Sequence, residues 1–282
     1  MSVRIITDSA SDITADIAAR LNVDVLPLKT IFGEEEFLDG VNISHKEFYE
    51  KLIESDVHPT TSQIPPYDFE QAFEEVKKAG DTAVCITLSS KLSGTYQSAC
   101  IAAEDYEGIV YVVDSENVAI GEQILVEMAA KLRDTGKSAA EIADVSESEK
   151  KKICLIALLD TLEYLKKGGR ISGAAAMVGG MLSIKPVISM EEGEIAVLGK
   201  ARGSKNGQNL LREYIQKQGE VDYSKAWNLA YTGLSDELLR KYIADSAELY
   251  AAFGNELPIR TIGSTIGTHA GPGAIAVAFF KK

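Results

Sequence analysis

At 282 residues, 45% of them hydrophobic and 25% charged, the chain has a soluble globular composition and room for one large domain or two ordinary ones. The net charge of −13 excludes general nucleic-acid binding, which rests on cationic neutralisation of phosphates. Residues 1–150 carry 12 Lys/Arg against 29 Asp/Glu and residues 151–282 carry 17 against 13, so two parts with different surfaces are expected.

In chain order, VRIITDS (3–9) and VDVLPLKTIF (23–32) read as strands. Ser44 with Glu47 forms a capping box before a helix whose apolar side is Phe48, Tyr49, Leu52 and Ile53. A loop (58–66) precedes a helix carrying Phe69, Ala72, Phe73 and Val76, with Gly80 as its stop. TAVCITLS (82–89) and GIVYVVDS (108–115) are continuous β-branched runs of the kind buried in parallel sheets, with a helix from Gly94 to about Glu104 between them. Leu125, Met128 and Leu132 mark another helix, and the charged SESEKKK (146–152) is the candidate boundary or crossover. Beyond it come a strand (153–159), helical TLEYLKK, a Gly-rich break and a small-residue helix. SIKPVISM and EIAVLGK form a hairpin around Glu191, Glu192 and Gly193. Helices over about 204–217 and 235–252 flank the strand WNLAYT, and the chain closes with PIRTIGS, a Gly-rich loop and AIAVAFF. The expected fold is α/β in two domains. Residues 1–150 form a doubly wound parallel sheet with helices on both faces, and residues 151–282 an α/β domain with a mixed or antiparallel sheet.

Cys85, Cys100 and Cys154 form no CxxC pair, which favours a reducing compartment over a disulfide framework or zinc site. The opening MSVRIITDS lacks a signal-peptide layout, and no apolar run approaches the roughly 18 residues of a membrane span. A cytoplasmic location without stable membrane insertion is therefore expected, and Asn42-Ile43-Ser44 is a chance match to a glycosylation acceptor. Gly193 to Lys200 fails as a phosphate loop, since five residues separate its glycines and Ala201 follows the lysine. Gly271, Gly273 and Ala276 precede a closing strand rather than a helix, so they fail as a dinucleotide fingerprint. His45, His58 and His269 share no metal-ligand spacing, and there is no GxSxG elbow.

Four hydroxyl- and glycine-rich loops remain, each just after a strand, where ligands of open α/β sheets sit: TDSASD (7–12), TTSQIPP (60–66), SSKLSGTYQSA (89–99) and GSTIGTHAGPG (263–273). Ser93 is a good helix N-cap, and a helix start offers free N–H donors and a dipole that favours an anion. Taken singly, Ser93 reads as an ordinary cap, Asp8, Ser9 and Asp12 as a turn with a cap, and Thr60, Thr61 and Ser62 as solvated loop.

Taken together, TDSASDIT, TTSQIPPYDF, SSKLSGTYQSA, VVDSENVAIGEQ, LEYLKKGGRIS, SIKPVIS, GKARG and IGTHAGPGAIAV resemble, in that order, the signature blocks of the DegV family. These are bacterial fatty-acid-binding proteins that include the FakB-type subunits of fatty acid kinase. Ile64 departs from the proline common after TSQ. The resemblance implies a non-catalytic carrier with no cofactor. Its long-chain fatty acid would lie in a tunnel between the domains, the carboxylate held by Thr61, Ser62, Ser93, Gly94 and His269. It implies also that Arg170 and Arg202 serve the encounter with an ATP-dependent kinase partner or the acyl phosphate product. Ala174, Ala175, Ala176, Met177, Val178, Met181, Leu182 and Ile184 are candidate tunnel residues. Two alternatives stand beside this: a lipid esterase or acyltransferase using Ser93 with His269 as base, and a lipid-sensing regulatory module.

Overall fold

The computed structural model describes residues 2–171, 183–254 and 256–282. Along the chain run β1 (Val3–Asp8), α1 (Ala15–Leu21), β2 (Val23–Leu26), β3 (Lys29–Phe32), β4 (Glu35–Leu38), α2 (His45–Glu54), β5 (Thr60–Ser62) and α3 (Pro66–Ala79). They are followed by β6 (Thr82–Thr87), α4 (Thr95–Ala103), β7 (Val110–Asp114), α5 (Ala119–Asp134) and α6 (Ala139–Glu149). The remainder comprises β8 (Ile153–Leu158), α7 (Glu163–Lys167), β9 (Ile184–Glu191), β10 (Glu194–Arg202), α8 (Ser204–Lys217), β11 (Asn228–Tyr231), α9 (Glu237–Asp245), α10 (Ala247–Tyr250), β12 (Ile259–Thr261), α11 (Ser264–Ala270) and β13 (Ile275–Phe280).

The apolar strands β1, β6 and β7 join β2 in a wholly parallel sheet of order β2-β1-β6-β7. Its helices cover both faces, α3 and α4 on one and α5 and α6 on the other, as the doubly wound expectation required. The sheet β10-β9-β8-β13-β11-β12 is antiparallel except for the β11–β12 pair, and so is mixed. Its β9–β10 hairpin turns at Glu192 and Gly193, both at positive φ (51° and 83°), which suits a two-residue hairpin loop.

Four expectations give way, the first three for an identifiable reason. The segment 23–32 is two strands, because Pro27 has no N–H for the ladder with β1 and ends it at Leu26; β3 then enters a separate sheet, β4-β3-β5. Residues 60–62, read as loop, form the third strand of that sheet, pairing Thr30 with Thr61. The Gly-rich segment read as loop contains α11, whose N-terminus is capped from far away in sequence. Asp39 Oδ1 accepts from the Ser264 N–H and Oγ (2.8 Å each), its Oδ2 from the Thr265 N–H (3.2 Å), and Asp12 Oδ1 from the Gly263 N–H (2.6 Å). Gly267 lets this helix lie against α2, since a Cβ there would stand 2.6 Å from both Phe48 Cε1 and the Tyr49 hydroxyl. The helix expected over 235–252 is also interrupted, at Ser246.

The stretch 146–152 ends α6 and turns into β8, with the Lys150 amine buried against the Asp114 carbonyl (2.9 Å), Glu116 (3.1 Å) and Glu147 (2.7 Å). Strands up to Asp114 belong to the parallel or small sheet and those from Ile153 to the mixed sheet. The core does not divide there. Helix α5 is buried nearly all round, from Ala119 through Ile124 to Ala130, with Glu122 and Gln123 buried among its apolar residues. It packs on β1 and β6 and also on β8, β11 and β13, so one apolar cluster runs from Ile5 and Val84 through α5 to Leu155, Ala230 and Ala278. Across 150/151 the strands change sheet while the apolar core continues.

Candidate ligand-binding site

A cavity of about 350 Å³ opens where α11, β5 and the loop after β6 meet the face of the mixed sheet. That volume is within the range of roughly 300–1,000 Å³ typical of small-molecule sites. Among the described residues its wall is mainly aliphatic: Leu88, Leu92, Val118, Leu155, Leu159, Leu165, Ile188, Ile195, Ile262 and Ile266 contribute, with Met190 and a row of alanines. Polar groups also line it: Thr61, Ser62, Gln63, Ser93, Gly94, Arg170 and His269. Three of the four hydroxyl-rich loops therefore meet at one cavity, from segments more than 200 residues apart.

His269 stands in the last turn of α11, and its Nε2 lies 2.9 Å from Thr61 Oγ1 on β5. Burial first, then the positive Arg170 and the nearby His58, hold the imidazole down at about 4, so the ring is neutral at neutral pH. Its Nδ1 is buried without a protein partner among the described residues. The ring lies against the backbone of Gly168, where a Cβ would fall on His269 Nδ1 and come 2.7 Å from Cε1. The two glycines before Arg170 thus have different uses: Gly168 makes room for the histidine, and Gly169 takes a positive φ of 70°.

Ser93 sits one residue upstream of the position expected for it. Helix α4 begins at Thr95 with Gly94 as N-cap, and Ser93 Oγ accepts from the Thr95 N–H (3.2 Å) while bonding Thr95 Oγ1 (2.9 Å). Gly94 carries the Gln63 carboxamide against its Cα, a Cβ there falling 2.8 Å from Gln63 Cδ. Gln63 is anchored in turn by Nε2 donating to Ser98 Oγ (3.1 Å). Ser62 follows Thr61 on β5, so the two side chains leave opposite faces of the strand, and the Ser62 hydroxyl makes only a long contact with the Gln63 carbonyl (3.4 Å).

The structure separates the two arginines that sequence had grouped. Arg170 is on the cavity wall, with Nε donating to the Leu92 carbonyl (3.1 Å) and Nη1 to the Gly168 carbonyl (2.6 Å). Arg202 is the exposed last residue of β10 and is not on that wall. Ile184 starts β9 and is also off the wall, and the other proposed tunnel residues, 174–178, 181 and 182, lie outside the described residues.

The first loop, TDSASD, does not reach the cavity. Asp8 accepts from the Ala10 and Leu88 N–H groups (2.9 and 2.8 Å), and burial raises its carboxyl to about 7. Burial likewise pushes Asp12 and Glu122 well above the usual carboxylate range, with neighbouring acids adding to the effect. These acids are brackets: Asp8 ties β1 to the loop after β6, and Asp12 with Asp39 fixes the start of α11 and so the position of His269. A second cavity, about 470 Å³, is ringed by Asp12, Asp39, Ser44 and His45. It offers carboxylates, and both ring nitrogens of His45 are occupied by the Ile262 and Gly233 carbonyls (2.9 and 2.8 Å), so it is a poor seat for an anion.

Sequence reasoning missed Gln63, the cavity placement of Arg170, and Thr265, Thr232 and Ser189 on the wall. The string KKGGR was visible, but the closeness of Gly168 to His269 depends on the packing of α7 against α11.

Comparison with known proteins agrees with the fold. The chain matches the family model described as "Uncharacterised protein, DegV family" over residues 2–282. It is 36% identical to a DegV domain-containing protein of Caldanaerobacter subterraneus subsp. tengcongensis, over 99% of each chain. A DegV domain-containing protein of Deinococcus radiodurans is 33% identical, over 99% of this chain and 98% of the other. Among solved structures, a fatty-acid-binding DegV family protein from Thermus thermophilus superimposes over the whole of both chains with a TM-score of 0.89 at 30% identity. DegV of Bacillus subtilis, described as a fatty acid binding protein, does so with a TM-score of 0.85 at 29% identity. The chain belongs to the DegV family. No helix among the described residues is long and apolar enough to cross a membrane.

Proposed function

We propose that this chain binds one long-chain fatty acid in the 350 Å³ cavity, with its carboxylate against Thr61, Ser93, Arg170 and His269 and its tail along the aliphatic wall. The observation that carries this is an apolar cavity with a cluster of hydrogen-bonding side chains on its wall. With His269 neutral, Nε2–H donating to Thr61 Oγ1 frees the Thr61 hydroxyl proton for the anion, and Arg170 supplies the positive charge. A 16-carbon tail at about 0.8 kcal/mol per CH₂ gives on the order of 12 kcal/mol of gross driving force, much of it cancelled by ordering. Tail burial supplies affinity; the headgroup contacts set orientation. The fatty-acid-binding neighbours support the same assignment.

The finer step is handover: a separate ATP-dependent kinase transfers the γ-phosphoryl group of ATP to a carboxylate oxygen, leaving acyl phosphate and ADP. The exposed Arg202, outside the cavity, suits that encounter. The esterase reading is less well supported, because His269 bonds Thr61 rather than Ser93 and its Nδ1 has no carboxylate to orient it. Mass spectrometry of the purified, denatured protein tests the central assignment. Release of a stoichiometric fatty acid is expected; no release, and no binding of added palmitate, would end it.

A further inference from the structure

Among the described residues, two that line the cavity carry a buried polar atom without a protein partner: His269 at Nδ1 and Thr265 at Oγ1. Thr265 is 3% exposed. The other hydroxyls of α11 are bonded: Ser264 Oγ donates to Asp39 Oδ1 (2.8 Å) and meets Thr30 Oγ1 (2.9 Å), and Thr268 Oγ1 donates back to the Ser264 carbonyl (2.8 Å). Thr265 has no such outlet. It lies in the first turn, so the carbonyl four residues before it belongs to β12 and not to its own helix. The polar wall residues Thr232 and Ser189 are satisfied, Thr232 Oγ1 by the Ala274 N–H (2.7 Å) and Ser189 Oγ by Glu191 (3.2 Å). A buried unpaired hydroxyl on a residue that lines an aliphatic cavity is a cost that valine would avoid at the same volume.

Resting on the fatty-acid reading, we propose that Thr265 recognises an oxygen substituent on the acyl chain, so that the preferred ligand is a hydroxy fatty acid. Thr265 and His269 are four residues apart on one face of α11, a separation of roughly 6 Å. An extended carbon chain advances roughly 1.3 Å per bond, as the 3.8 Å between successive Cα atoms over three bonds implies. The oxygen therefore belongs about five bonds from the carboxylate, near the sixth carbon. One step about χ1 carries the Thr265 hydroxyl to the place the methyl held and the methyl to that of the Cβ hydrogen, and the hydroxyl both donates and accepts.

Titration of the delipidated full chain with octadecanoic, 6-hydroxyoctadecanoic and 12-hydroxyoctadecanoic acids tests this. The wild type is expected to bind the 6-hydroxy acid about five-fold tighter than the plain acid, and the 12-hydroxy acid no tighter. Thr265→Ser should keep that preference and the isosteric Thr265→Val should abolish it. Equal or weaker binding of the 6-hydroxy acid beside good binding of the plain acid overturns the role of Thr265 and leaves the fatty-acid reading standing. A preference that survives in Thr265→Val overturns it too. If none of the acids binds, both readings fall.

Discussion

Gly168→Ala is a sharp test of the headgroup site, because it changes no hydrogen-bonding group. Gly168 has φ −75° and ψ −9°, a helical conformation that alanine adopts freely, so the backbone gives no reason for instability. The added Cβ would fall on His269 Nδ1, 2.7 Å from Cε1 and 3.3 Å from Cγ. The ring must move, and the 2.9 Å bond from Nε2 to Thr61 Oγ1 is lost with it. Losing that part-buried bond costs about 1–3 kcal/mol of stability, and with His269 and Thr61 displaced from the carboxylate fatty acid affinity should fall by roughly 5- to 150-fold. Gly169→Ala is the matched control. No atom lies within 4 Å of its Cβ, but its φ of 70° penalises alanine, so it should lower the melting temperature by a few degrees and leave affinity alone. Displacement of a fluorescent fatty acid and thermal melts of both variants give the readout. Wild-type affinity in Gly168→Ala would refute the placement of His269.

Arg170→Ala should weaken fatty acid binding by about ten-fold, whereas Arg202→Ala should bind normally and fail only in phosphoryl transfer with ATP and the kinase; competition binding separates the two. Asp39→Ala removes three hydrogen bonds from the start of α11 and should cost about 2–4 kcal/mol by denaturant unfolding, with loss of ligand as His269 shifts. His269 has a folded value of about 4 against an ordinary 6.5, so the unfolded chain takes up the proton first on acidification. Its share of stability is present above about pH 6.5, declines as pH falls and is gone below about 4; His269→Gln should flatten that part of the melting-temperature profile. Asp8 runs the other way, its folded value of about 7 against 3.8 making stability fall as pH rises between those values, which carboxyl ¹³C titration can follow.

The buried acids also bear on how the site is held. Asp8, Asp12, Asp39 and Glu122 are nearly fully buried, and none touches the ligand cavity. Their partners are largely backbone N–H groups at the start of α11 and at Leu88, and Thr7 Oγ1 for Glu122 (3.1 Å). The proposed headgroup site therefore depends on acidic side chains far from it in sequence, and conservative changes at Asp39 are expected to act on His269 through α11.

What the chain order alone determined is the local layer. The β-branched runs at 82–89 and 108–115, the Ser44–Glu47 capping box, the Gly80 stop and the turn at Glu192-Gly193 each rest on neighbouring residues, and each is found where it was expected. Two of the hydroxyl loops were legible for the same reason, since residues 89–99 and 263–273 follow β6 and β12, whereas residues 60–66 begin with β5 itself. Other features were decided by contacts over long separations. Helix α11 exists inside a Gly-rich segment because Asp39, 225 residues away, caps it. Residues 60–62 become a strand because β3 offers them an edge, and Arg170 enters the cavity because α7 packs on α11. Capping, turn and strand signals act within a few residues and so survive in the linear text. The pairing of Thr61 with His269, and the unpaired hydroxyl of Thr265, arise only when distant segments share one low-dielectric space.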